Sequence, residues 1–98
     1  MNRKIIPTKD FLKQIKNLDS KSRSIIKEKI NLIKENPYRF KRIRSKNLSK
    51  VFRVRLSIQK KETRLIYAII NPNIILVCLL NRKGDYKDLE KYLRGLRK

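Results

Sequence analysis

From Val51 to Ile58 the chain reads Val-Phe-Arg-Val-Arg-Leu-Ser-Ile. Phe52, Val54, Leu56 and Ile58 point one way, and Arg53, Arg55 and Ser57 point the other. Strict alternation over a run this long is the signature of a strand with one buried face. The second face is unusual because it is cationic. The fold must therefore cover one side of this strand and leave positive charge on the other.

The neighbours supply its partners. Gln59-Lys60-Lys61-Glu62 is the turn, read as a longer loop, and Thr63 to Ile70 is the next strand. Asn71-Pro72-Asn73 turns the chain back into Ile74 to Asn81, which is almost wholly apolar and reads as a central strand. Upstream, Tyr38 to Lys50 is irregular and very basic, with an edge strand around Arg42-Ile43-Arg44.

The helices flank these strands. Ile5-Ile6 beside Pro7 reads as a short first strand. Thr8 is placed to N-cap a helix bearing Phe11, Ile15 and Leu18 on one face. Asp19-Ser20 connects it to a second helix, about Lys21 to Glu35, with Ile26, Ile30 and Ile33 on one stripe. That helix stops at Asn36-Pro37, because the residue before proline avoids helical geometry. Asp85 is placed to cap a last helix lined by Tyr86, Leu89, Leu93 and Leu96. The order β-α-α-β-β-β-β-α predicts an α+β domain over residues 1–98. An N-terminal strand and a helical hairpin pack on a small antiparallel sheet, with a C-terminal helix.

Charge narrows the function. The 98 residues carry 28 Lys+Arg against 8 Asp+Glu, a net +20. Such an excess repels itself and weakens the compact state. A polyanion offsets that repulsion, and counterion release then supplies affinity without sequence information. RNA is the expected polyanion. An acidic protein partner fits the same charge, and a solvated basic surface is the plain alternative. There is no histidine, so His-based acid–base chemistry and the usual zinc sites fall away. No cofactor is expected. The one cysteine, Cys78, sits in an apolar run and reads as a buried small side chain. No signal-peptide pattern follows Met1, and the apolar run 65–80 is broken at Pro72, so a cytoplasmic protein with no membrane partner is expected.

If the hairpins form, three features converge: Arg53 and Arg55, then Arg64 on the adjacent strand, then Asn81-Arg82-Lys83-Gly84-Asp85-Tyr86 at a helix start. A helix N-terminus favours anions, so Arg82 and Tyr86 are placed to meet a phosphate. Taken singly, each arginine is equally well a solvated strand residue, and Tyr86 a packing residue.

Together these segments resemble the RelE family of toxins. The resemblance rests on Phe52-Arg53-Val54-Arg55-Leu56, Thr63-Arg64-Leu65-Ile66-Tyr67, the arginine–tyrosine spacing of Arg82 and Tyr86, and the hairpin ending in Glu35-Asn36-Pro37. It covers nearly the whole chain. It implies a toxin of a toxin–antitoxin pair that cleaves mRNA in the ribosomal A site. By position, it implies that Arg53 and Arg55 take the two basic strand positions. Arg64 and Arg82 would contact the scissile phosphate, and Tyr86 would be the C-terminal tyrosine. Well-known members have lysines where Arg53 and Arg55 stand. Arginine does not lose its proton in a protein, which leaves Tyr86, a lysine such as Lys50, Lys60 or Lys83, or the RNA as general base.

The implied partners are an acidic, RelB-like antitoxin in a hetero-oligomer, mRNA, and the rRNA of the ribosome. Arg44, Lys46, Lys50, Lys60, Lys61 and Lys83 are candidate RNA contacts, with Lys41 and Arg42 in the same basic loop. Lys87, Lys91, Arg94, Arg97 and Lys98 make the last helix a second basic element. The alternatives are a ParE-like poison of DNA gyrase and a non-catalytic RNA- or ribosome-binding protein of the same fold.

Overall fold

Thr8 ends the first strand and starts the first helix with one side chain. Its Oγ1 accepts the Phe11 amide at 3.0 Å and donates to the Val77 carbonyl at 2.7 Å. The chain around it is seen in a computed structural model that describes residues 3–46, 48–81 and 86–96. The elements are β1 (Ile5–Pro7), α1 (Lys9–Lys16), α2 (Ser20–Glu35), β2 (Lys41–Ile43), β3 (Val51–Ile58), β4 (Lys61–Ile70), β5 (Asn73–Asn81) and α3 (Tyr86–Arg94). The order is the one expected. Asp19 proves to be the N-cap of α2, accepting from the Ser22 amide at 2.8 Å.

The five strands lie in the order β1-β5-β4-β3-β2. β2 to β5 form an antiparallel meander, as their short turns require. β1 departs from the expected antiparallel sheet. It pairs parallel to β5, Ile5 with Ile74 and Pro7 with Leu76, and makes the sheet mixed. A parallel partner needs a long crossover, and α1, α2 and the meander between β1 and β5 provide it. Beyond Leu76 no strand among the described residues pairs with this edge of β5, and α1 lies against it. The Gln14 side-chain amide donates to the Leu79 carbonyl at 2.9 Å and accepts the Leu79 amide at 2.7 Å. A polar side chain thus satisfies backbone groups that an edge would leave to water.

Each face of the sheet carries its own core. Phe52, Val54, Leu56, Leu65, Tyr67 and Leu76 pack under the helical hairpin through Phe11, Ile26 and Ile33. Val51, Ile66, Ala68, Val77, Cys78 and Leu80 pack under α3 through Leu89 and Leu93. A bulge makes this division possible. Ile66 pairs with Cys78 and Tyr67 with Leu76, so Val77 is the extra residue. Val77 and Cys78 therefore serve the same core, against the strand's alternation.

The hairpin between β3 and β4 is tighter than expected. Ile58 pairs with Lys61, so only Gln59 and Lys60 turn, at φ 53° and 65°. Two successive positive φ values define the twist-matched two-residue hairpin.

Candidate nucleic-acid interface

The alternation of β3 buries Phe52, Val54, Leu56 and Ile58 under the hairpin. Arg53 and Arg55 then lie on the α3 side of the sheet, Arg53 half-buried and Arg55 exposed. Register completes the patch. Arg53 stands between Lys41 of β2 and Ile66 of β4. Arg55 stands opposite Arg64, and Arg64 opposite Leu80. One step on, Thr63 pairs with Asn81, the last residue of β5 before position 82.

Arg64 is only 7% exposed. Its Nη2 lies 3.7 Å from Glu62 Oε1, a carboxylate on the same strand face two residues away. A charged fork held this deep keeps its donors oriented without reorganisation, as the stabilisation of a growing negative charge requires. The guanidinium fork also matches phosphate oxygens in pairs. Exposed Arg55 across the ladder gives the patch a second cation.

Other expected contacts sit elsewhere. Arg44 and Lys46 are exposed in the β2–β3 connection, and half-buried Lys50 leads into β3. Glu90 of α3 fixes that connection, accepting from Ser45 Oγ at 3.0 Å and from the Lys46 amide at 3.1 Å. Arg42 is tied up locally, with Nε and Nη2 both donating to the Ser49 carbonyl at 2.9 and 2.6 Å. Lys61 begins β4 at the far tip of the hairpin. Lys60 turns toward the start of α2, lining a cavity with Asp19, Ser22 and Ile25. There the Ser22 hydroxyl and amide hold the Asp19 carboxyl below the usual carboxylate range. The Arg53–Arg55–Arg64 patch is thus one place, the 44–50 connection a second and the hairpin tip a third.

Arg82, Lys83 and the Asp85 cap lie outside the described residues, as do Arg97 and Lys98. Tyr86 opens α3, and its side chain, like that of Lys87, lies outside the description too.

Two aromatic or thiol groups are removed from chemistry. Tyr67 is fully buried, donates to the Pro37 carbonyl at 2.6 Å, and stacks on Phe52 with 5.2 Å between ring centroids. Burial raises its phenol well above the ordinary value. Burial, helped by the Asp10 charge, likewise pushes the Cys78 thiol up to about 12.

Sequence reasoning missed Arg39 and Phe40. With Lys41, Arg53 and Arg55 they line a cavity of about 430 Å³. The signal was the period of two in Arg39-Phe40-Lys41, hidden inside a longer basic run.

No protein-family model and no curated protein matches the chain. Solved structures do. A double arginine-to-alanine variant of the E. coli toxin RelE in the free state superposes with TM-score 0.70 at 19% identity, covering 96% of this chain and 98% of that one. The isolated E. coli RelE toxin gives 0.65 at 19% identity, covering 92% and 97%. A chain of the intact E. coli RelBE toxin–antitoxin complex gives 0.63 at 17% identity, covering 84% and 99%. The chain has the fold of the RelE toxin.

Proposed function

We propose that this chain is the toxin of a toxin–antitoxin pair and acts as an endonuclease on translated mRNA. The observation that carries the reading is the Arg55–Arg64 pair, one of them sunk into the sheet, beside the strand end that leads to Arg82 and Tyr86. A like-charge pair across a ladder is destabilising on its own. An anion bound over the pair reverses that sign.

RNA suits a site without histidine because it carries its own nucleophile. The 2′-OH oxygen attacks the adjacent phosphorus, the bond to the 5′-oxygen breaks, and no water is consumed. One proton leaves the 2′-OH and one is delivered to the 5′-oxygen. The products are a 2′,3′-cyclic phosphate and a 5′-OH. Arg64 and Arg82 neutralise the phosphate as its charge grows, while Arg53 and Arg55 hold the strand. Tyr86 stacks a base or moves one of the protons, with Lys83 or the RNA itself the other candidate, since Lys60 faces the start of α2 and Lys50 belongs to the 44–50 connection.

The net +20 also fits an acidic, RelB-like antitoxin that covers the patch and keeps the toxin silent in the cytoplasm. The same charge suits contact with rRNA through Arg44, Lys46 and Lys61.

The test is a reconstituted translation reaction with 5′-end mapping of the message. Discrete cuts at A-site positions are expected, absent without ribosomes. An Arg64→Ala variant is expected to lose roughly 10²- to 10³-fold in rate, the usual loss for an electrostatic donor. Products ending only in 3′-OH contradict the mechanism. Intact message with translation still running contradicts the nuclease, and a supercoiling assay then tests action on gyrase.

A further inference from the structure

The cationic face does not stop at β3. Lys41 on edge strand β2 pairs directly with Arg53. Continued by two residues, that register sets Arg39 across from Arg55, in line with Arg64. Arg39, Phe40, Lys41, Arg53 and Arg55 in fact line one open groove of about 430 Å³. Arg39 and Lys41 are both exposed, and among the described residues that line the groove there is no carboxylate. The Arg39 guanidinium sits over the Phe40 ring at 5.5 Å from its centroid. Phe40 is itself anchored edge-on against buried Tyr67, at 6.4 Å between centroids. The ring therefore gives a long, otherwise mobile side chain a fixed platform.

We propose that this groove is a second phosphate subsite, which carries the RNA strand from the Arg55–Arg64 patch out over the β2 edge. The inference rests on the RNA reading above and extends it to Arg39 and Lys41. Row upon row of cations across adjacent strands, roughly 4.8 Å apart, suits a flexible backbone laid across the sheet. An acidic protein segment would also find charge here. The exposed part of the groove offers it cations but no fully exposed apolar anchor, and phosphates need only the cations. These contacts position the strand and do not read its sequence.

The probe is a labelled single-stranded 2′-O-methyl oligonucleotide, which has no free 2′-OH to attack. Its affinity is measured against sodium chloride concentration. Each phosphate contact on a single strand contributes about 0.7 to the slope of log K against log salt. The double variant Arg39→Ala, Lys41→Ala is expected to lower that slope by about 1.4, and to weaken binding about 25-fold at 0.1 M salt. Arg23→Ala with Lys34→Ala removes equal charge from exposed positions of α2, on the opposite side of the sheet, and is expected to leave the slope unchanged. Unchanged far-UV dichroism and melting temperature show that each variant is folded.

Equal losses in the two double variants mean that net charge alone acts, and overturn the subsite. So does wild-type binding with a slope that Arg39→Ala, Lys41→Ala leaves intact, while cleavage of translated message persists. A variant that keeps the oligonucleotide but releases a poly-glutamate peptide assigns the groove to an acidic protein segment instead. Wild-type protein that leaves the oligonucleotide unbound at low salt, with message uncut in the translation assay, overturns the RNA reading itself.

Discussion

Arg55 stands directly opposite Arg64 across the β3–β4 ladder, the first exposed and the second buried. Two like charges facing each other across a ladder cost stability. Replacing Arg55 by Gln removes the repulsion and is expected to stabilise the free protein by about 0.5 kcal/mol. That corresponds to roughly 2–4 °C in melting temperature for a chain of this size. The gain shrinks in high salt, because exposed charges are screened. Thermal melts at low and high salt check it, and a lower melting temperature for Arg55→Gln contradicts the repulsion.

Gln59 and Lys60 turn the β3–β4 hairpin with positive φ at both positions. Asn-Gly is the pair suited to that backbone, since glycine has no Cβ to crowd it. Gln59→Asn with Lys60→Gly is expected to stabilise by about 1 kcal/mol, after allowing for glycine's greater freedom in the unfolded chain. Denaturant unfolding measures it. A loss of stability would show that Gln59 or Lys60 makes compensating contacts in the cavity at the start of α2.

Glu90 ties α3 to the β2–β3 connection through Ser45 and the Lys46 amide. Ser45 Oγ in turn accepts the Leu48 amide at 3.3 Å. Glu90→Ala is expected to destabilise by about 1–2 kcal/mol. It should also speed hydrogen exchange at Lys46 and Leu48 while leaving central β4 amides such as Leu65 slow. Unchanged exchange at Lys46 would mean that the loop holds its shape without the carboxylate.

Tyr67 and Cys78 link stability to alkaline pH. Both have folded values raised above the unfolded ones by burial, Cys78 to about 12. Between the two values the unfolded chain has released protons that the folded chain still holds. Stability is therefore intact below the unfolded values, about 8.5 for cysteine and 10 for tyrosine, and falls as pH rises above them. Tyr67→Phe removes the donor to Pro37 and is expected to lose about 1–2 kcal/mol at neutral pH, with a shallower decline above pH 10. Urea melts from pH 7 to 11 test this. An equally steep decline in Tyr67→Phe assigns the alkaline arm to other groups. The Cys78 thiol is expected to resist alkylation at pH 8 until the chain unfolds.

Much of the fold is legible in the residues. Alternation in β3 separates Phe52 and Val54 from Arg53 and Arg55, and the structure puts them on opposite faces. Thr8 caps α1, and Asn36-Pro37 ends α2. Other features leave no such trace. Seven consecutive apolar residues from Ile74 to Leu80 have no alternation from which to place a bulge at Val77. The Gln59–Lys60 turn lacks the glycine that would have announced two residues rather than a longer loop. Nothing in the residues around Gln14 announces that its side chain pairs with the Leu79 backbone on β5.

The sequence by itself determined the element order, the separation of apolar from cationic positions on β3 and the overall positive charge. Those are local or compositional properties, set by side-chain periodicity, capping and a count of charges. Only the tertiary structure decided that β1 joins β5 in parallel, that Arg64 is buried opposite Arg55, and that Arg39 and Lys41 share a groove with Arg53 and Arg55. Each of these depends on which residues a strand register brings together, and register is settled only when two faces of a sheet are packed at once.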